Sequence, residues 1–286
     1  MNHFEQCYIM GLPNAGKTTY LAALWHTLNN SHGYNNKLKL HKIGSQAKYL
    51  SHLSKKWADA NPLERTARGK EEKDISIEVA DDKENIFTLR FPDLSGESFQ
   101  SQYAKREISN DLVEYIKKSN GILVFINVND IDQVEHISNI NDEQSSINDD
   151  IKVTKQGNII RQPEQHDPMQ IQIIELLQFI ETICERKNYK LGIILSAWDI
   201  VRNIGLEKKP EEFIKERMNM LWQFLFTSRT YTTSFWGVSA QGGELKDEAL
   251  LYVEPIERII VVNAEGEESH DITLPIFKVL GENNAE

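Results

Sequence analysis

An apolar run at residues 7–10 leads directly into Gly11-Leu12-Pro13-Asn14-Ala15-Gly16-Lys17-Thr18, and Leu21, Leu24, Trp25 and Leu28 follow at helical spacing. Strand, glycine-framed loop and helix in that order constrain the fold more than any other feature of the chain. The loop lets consecutive backbone N–H groups turn inward around a β-phosphate, while the helix directs its positive end at the same point. Lys17 is then placed to bridge β- and γ-phosphates, and the Thr18 hydroxyl to ligate Mg²⁺. Gly11, Asn14, Ala15, Gly16, Lys17, Thr18 and Thr19 are expected to line a nucleotide polyphosphate.

Further apolar runs of strand length occur at 75–79, 86–91, 121–128, 191–195 and 233–238, giving six strands with the first. Amphipathic stripes lie between them: Ile108, Leu112, Tyr115 and Ile116; Ile171, Ile174, Leu177 and Ile180; Ile214, Met218, Leu221, Trp222 and Leu225. Alternation of this kind predicts an α/β three-layer sandwich whose sheet is mostly parallel and six-stranded. The short link 80–85 (ADDKEN) predicts a hairpin, hence one antiparallel edge strand. Residues 129–168 are rich in Asn, Asp, Gln and Ser with weak periodicity, and read as a mobile insertion carrying a short hairpin at 151–160 around Gly157. Residues 1–286 are expected to form one domain, with a hairpin–helix extension from about 244 that includes a hairpin at 259–268.

The 286 residues carry 32 Lys+Arg against 43 Asp+Glu, a net charge of −11, which opposes indiscriminate binding to nucleic acid or to anionic membrane. No apolar run is long enough for a membrane helix, and the N-terminus has no signal-peptide pattern, so the simplest location is cytoplasmic. Residues 32–60 hold six lysines interleaved with Tyr34, Tyr49 and Trp57. A nucleic-acid patch and a solvated helix with one buried aromatic edge both fit that pattern, the second being favoured. Cys7 and Cys184 read as small buried hydrophobes, and Trp222, Phe224 and Phe226 as core and groove packing. The charge run 207–217 reads as a solvated helix face that starts near Pro210. The histidines show no metal-ligand spacing, and no nucleophile elbow is present.

Three downstream segments carry chemistry that complements the loop. The strand at 86–91 ends in Phe91-Pro92-Asp93-Leu94-Ser95-Gly96-Glu97, where Asp93 can hold a Mg²⁺-bound water and Gly96 can bring its N–H to a γ-phosphate. The strand at 191–195 exits through Ser196-Ala197-Trp198-Asp199, and the Asp199 carboxylate can accept from guanine N1–H and N2–H₂, which adenine cannot offer. The last strand exits through Ser239 and Ala240, whose N–H can meet guanine O6.

Read together, GLPNAGKT, DLSG, SAWD and SAQ resemble the ordered motifs of TRAFAC-class, Ras-like P-loop GTPases, from Cys7 to about Gly243. The resemblance implies a P-loop NTPase fold, GTP/GDP and Mg²⁺ as ligands, slow hydrolysis and a switch cycle. It also implies a Mg²⁺-ligating switch threonine between the first helix and the second strand, for which Thr66 is the candidate, and Arg65 beside it is either a cis arginine acting on the phosphates or a solvated charge. The Pro13-Asn14 pair is similar to Era/TrmE-type loops, which makes K⁺ at Asn14 a further candidate ligand. The tail Asp271-Ile272-Thr273-Leu274-Pro275-Ile276 looks like that of bacterial double-GTPase proteins and implies a second GTPase or an effector as partner. Two departures from the pattern matter. Ser196 and Ala197 replace the usual Asn-Lys, so a hydroxyl contact with the loop can survive but no aliphatic stem covers the purine. Glu97 replaces the common water-orienting Gln and, when ionised, accepts but does not donate, which implies slow or partner-activated hydrolysis. An ATPase using the same loop, and a module that holds nucleotide with little hydrolysis, are the alternative readings.

Overall fold

The computed structural model describes residues 5–30, 34–42, 44, 46–63, 75–91, 96–131, 162–183, 188–203, 209–245 and 247–281. The strands are β1 (Glu5–Gly11), β2 (Lys39–Lys42), β3 (Ile75–Ala80), β4 (Ile86–Phe91), β5 (Gly121–Asn127), β6 (Tyr189–Ser196), β7 (Tyr231–Ser239), β8 (Ile260–Val262) and β9 (Glu268–Ser269). The helices are α1 (Lys17–Asn29), α2 (Ala47–Ala58), α3 (Glu97–Lys105), α4 (Asn110–Lys118), α5 (Pro163–His166), α6 (Met169–Ile183), α7 (Trp198–Asn203), α8 (Pro210–Arg217), α9 (Asn219–Thr227) and α10 (Leu274–Leu280).

One sheet runs in the order β2-β3-β4-β1-β5-β6-β7-β8-β9. Strands β4, β1, β5, β6 and β7 are mutually parallel, and β3 pairs antiparallel to β4 through the expected hairpin. Asp81 closes that turn, its carboxylate accepting from the N–H groups of Lys83 and Asn85, both at 2.9 Å. The expectation of six mostly parallel strands needs correction: the sheet has nine strands and is mixed, because β2, β8 and β9 add antiparallel pairings at both edges. These three strands are two to four residues long, and β2 (KLHK) is largely exposed and carries no apolar run.

Alternate residues of β1, β5, β6 and β7 feed two cores, while β3 and β4 feed only the first. Cys7 and Ile9 join α1, α2 and α10 on one face, while Tyr8 and Met10 join α3, α4, α6, α8 and α9 on the other. Cys7 is a free, fully buried thiol, and burial pushes its pKa above the usual thiol range. Cys184 and the hairpin expected at 151–160 lie outside the described residues. The segment 32–60 holds β2 as well as the expected helix, and α2 buries Leu50, Leu53 and Trp57.

Two helical stripes differ from the sequence pattern. In α6 the buried apolar residues are Ile173, Leu176, Leu177 and Ile180, with Ile171 and Ile174 only half-buried. The face is rotated because buried Gln170 accepts from the Met220 N–H at 3.2 Å and buried Gln172 donates to the Asp167 carbonyl at 2.9 Å. The stripe from Ile214 to Leu225 is split into α8 and α9 at Met218, which takes φ −133° and ψ 54°. Trp222 stacks on Phe226 with 5.0 Å between ring centroids, yet Phe226 is 73% exposed and is not a core residue. No helix among the described residues is long and apolar enough to cross a membrane.

The C-terminal segment is tied back onto the first face by one carboxylate. Asp271 accepts from the Lys37 N–H at 2.8 Å, the Thr273 N–H at 2.8 Å and the Thr273 hydroxyl at 2.6 Å. Thr273 Oγ1 in turn accepts from the Leu38 N–H at 3.1 Å, and the Tyr20 hydroxyl donates to the Ile272 carbonyl at 2.7 Å. Asp271→Ala should leave these buried donors unsatisfied and cost on the order of 2–4 kcal/mol. Urea unfolding followed by circular dichroism measures this, and a loss below about 0.5 kcal/mol would contradict the role given to this carboxylate.

Candidate nucleotide-binding site

Strand β1 ends at Gly11, and the chain turns through Asn14 at φ 63° and Gly16 at φ 87° before entering α1. Gly16 supplies no side-chain cap, and the first turn of α1 contains no acidic residue. The leading N–H groups of a 13-residue helix, with Lys17, Thr18 and Thr19 in the first turn, therefore form a positive end without a built-in anion. Lys17 is 2% exposed, and its ammonium donates to the Gly11 carbonyl at 2.6 Å and the Leu12 carbonyl at 3.0 Å. Its Nζ also lies 5.9 Å from the centroid of the Phe99 ring.

The loop rests on the ends of β5 and β6. Ser196 Oγ donates to the Ala15 carbonyl at 2.9 Å, the contact expected of that hydroxyl, and also lies 3.4 Å from the Ile126 carbonyl. Asn127 Nδ2 donates to the Asn14 carbonyl at 3.1 Å. A Cβ on Gly16 would lie 2.7 Å from Ser196 Oγ, so the glycine is required by space as well as by its left-handed φ. On the opposite side Gly96 is at φ 79°, and a Cβ there would lie 2.5 Å from the Leu12 carbonyl carbon and 2.6 Å from Pro13 N. Gly96 thus packs on the phosphate loop and opens α3, with Glu97 as the first helical residue. Asp93, Thr66 and Arg65 lie outside the described residues.

The exits of β6 and β7 are joined to each other. Asp199, in the first turn of α7, accepts from Ser239 Oγ at 2.5 Å, and that hydroxyl accepts from the Gly242 N–H at 3.1 Å. Ser239 spends its proton on Asp199, leaving Asp199 Oδ2 and further lone pairs as acceptors. The indole of Trp198 lies flat against β7 at Gly237, where a Cβ would come within 2.4 Å of its Cδ2 atom. Ala240 follows Ser239, and its carbonyl accepts from the Trp57 indole N–H at 3.0 Å.

The residues Gly11, Asn14, Ala15, Gly16, Lys17, Gly96 and Ser196 therefore gather around one loop, and Asp199, Ser239 and Ala240 gather at the neighbouring strand ends. Three residues of this neighbourhood escape a motif reading: Asn127, Phe99 and Trp57. For Asn127 a signal existed, since it is the polar residue that ends an apolar strand and is the register partner of Ser196.

Residues 8–279 match the sequence model of the Double-GTPase 1 family. The chain belongs to that family. Double-GTPase 1 proteins are P-loop GTPases of the TRAFAC type. Solved structures similar to this Double-GTPase 1 chain include the S. cerevisiae Ski7 GTPase-like domain bound to GTP, at 17% identity and TM-score 0.43 over 84% of this chain and 43% of that one. The Ski7 domain bound to GDP and inorganic phosphate is similar at 18% identity and TM-score 0.41, over 83% of this chain and 43% of that one. The chain thus spans less than half the length of either. No curated protein matches it.

In this Double-GTPase 1 chain, Gly237→Ala should force the Trp198 indole off β7 and move Asp199 with it. The expected cost is about 1–3 kcal/mol of stability, the range of overpacking in a closed core. Chemical denaturation reads it, and an unchanged midpoint would contradict the contact.

Proposed function

We propose that this chain is a GTP-binding and GTP-hydrolysing switch, folded as one domain over residues 1–286, that controls a protein effector or a second GTPase. The observation that carries the reading is the continuous run of contacts along the carboxyl ends of the parallel strands. Gly96 packs on the phosphate loop, the loop is held by Ser196, and Asp199 beyond it is held by Ser239. Open parallel sheets bind their ligands at that edge.

In this reading the polyphosphate lies over the N-terminus of α1. Lys17 exchanges the loop carbonyls for phosphate oxygens, and the N–H groups from Asn14 to Thr19 surround the β-phosphate. Asp199 accepts from guanine N1–H and N2–H₂, while the Ala240 N–H meets O6. Thr18, Thr66 and Asp93 would hold Mg²⁺, which needs only one or two hard oxygen ligands from protein beside phosphate and water, and these side chains suit it. When bound, the ion neutralises charge between the β- and γ-phosphates. Asn14, exposed beside the loop, would add K⁺. Water attacks the γ-phosphorus, the bond to the β–γ bridging oxygen breaks, and Glu97 accepts the proton of the attacking water, yielding GDP and phosphate. The Gly96 N–H and the segment bearing Thr66 sense the γ-phosphate and relax when it leaves.

Lys17→Ala should weaken GDP and GTP binding by at least about 100-fold, the loss expected for two charge-assisted hydrogen bonds. Titration with a fluorescent nucleotide measures this, and retained binding would contradict the phosphate assignment. In competition the unmodified chain should prefer GTP to ATP; the reverse preference sinks the role of Asp199. Single-turnover phosphate release separates a hydrolase from a static nucleotide holder, because the latter shows none over many hours.

A further inference from the structure

The loop that follows β7 is held from a direction that no nucleotide motif supplies. Trp57, in the last turn of α2 and 183 positions earlier in the chain, is fully buried and donates its indole N–H to the Ala240 carbonyl. The indole is itself fixed on two sides. The Arg258 guanidinium lies 5.1 Å from its ring centroid, and the His26 ring from α1 packs at 5.1 Å with a tilt of 55°. Arg258 Nη2 also donates to the carbonyls of Trp57, at 3.4 Å, and Ala58, at 2.9 Å, so the end of α2 cannot shift without breaking a buried charged contact. The other flank of the loop is pinned by the Gly242 N–H bond to Ser239 Oγ.

The Ala240 carbonyl belongs to the peptide plane that follows the Ala240 Cα and the Ala240 N–H to the plane that precedes it, and the two planes meet at that Cα, so holding the carbonyl restrains through the Cα the plane that carries the N–H. We infer that Trp57 is a positioning residue for guanine recognition, acting through the Ala240 backbone to present its N–H to the 6-oxo group. This rests on the assignment of Ala240 to that atom in the proposed function. A packing role alone would need the indole's volume but not its N–H.

The test compares three nucleotides on wild type and Trp57→Phe, which keeps an aromatic ring and removes the donor. GTP carries all the recognised groups, 6-thio-GTP replaces only the 6-oxo acceptor with a weaker one, and ITP lacks only the 2-amino donor that faces Asp199. Wild type should prefer GTP to both analogues. In Trp57→Phe, GTP affinity should fall about tenfold, the loss of one hydrogen bond at the base. Its preference over 6-thio-GTP should shrink toward one, while its preference over ITP stays as in wild type. Ratios taken on one preparation do not depend on the folded fraction. Arg258→Lys loses the fork on the two α2 carbonyls but keeps the indole donor, and should move the same ratio in the same direction by less. Equal weakening of all three nucleotides, or an unchanged GTP to 6-thio-GTP ratio in both variants, would overturn the inference and leave Trp57 as packing. A wild type that does not distinguish GTP from 6-thio-GTP would instead remove the assignment of Ala240, and the inference with it.

Discussion

A single buried ammonium organises the phosphate loop. Taking the Lys17 charge out of water costs several kcal/mol, and the two carbonyls it reaches, at 2.6 and 3.0 Å, offset much of that cost. The Leu12 carbonyl also accepts from the Ala15 N–H at 3.3 Å, so the lysine ties the end of β1 to the turn that frames the loop. Phosphate oxygens carry far more charge than a carbonyl, so an arriving polyphosphate can take over the lysine without the loop having first to reorganise.

What lies beneath the loop explains why it keeps its shape. Ser196 and Asn127 are opposite each other on adjacent parallel strands, and each donates upward to a loop carbonyl, at Ala15 and Asn14 respectively. The underside carbonyls are thereby satisfied by the sheet, and the N–H groups of the following helix turn are left for a ligand. This arrangement needs the parallel strands to end in step, which the uninterrupted registers of β1 with β5, β5 with β6 and β6 with β7 provide. The antiparallel additions at both edges lie away from that row of strand ends and cover strands that would otherwise expose unpaired backbone.

The sequence makes the central part of this legible because buried parallel strands are apolar runs and phosphate loops have fixed spacing. Six strands and the order of the motif-bearing turns follow from those two facts. The edge strands do not, since β2 and β9 carry too few apolar residues to differ from a loop, and their pairing is decided by what lies beside them. The face of α6 was not legible, because Gln170 and Gln172 are buried and satisfy backbone groups of other segments, which no periodicity records. The link from Trp57 to Ala240 is the extreme case, because its two ends are chemically ordinary and are brought together only by the finished fold.

Ala197 shows how the departures from the GTPase pattern fit together. It sits at φ 56°, a left-handed conformation that costs a non-glycine residue roughly 1 kcal/mol. That turn sets where the next two residues go: the Trp198 indole lies on Gly237, and Asp199 meets Ser239. Ser196, just before it, is occupied in holding the phosphate loop, so neither residue of the Ser-Ala pair remains to cover a purine face. In the proposed reading, recognition of the base therefore falls on the hydrogen bonds that Asp199 accepts and that the Ala240 N–H donates. Hydrogen bonds depend on angle more steeply than a stacking stem does. A chain that gives up the stem has all the more need of a tightly held frame around those two residues, and the bonds of Ser239, Gly242 and Trp57 form that frame.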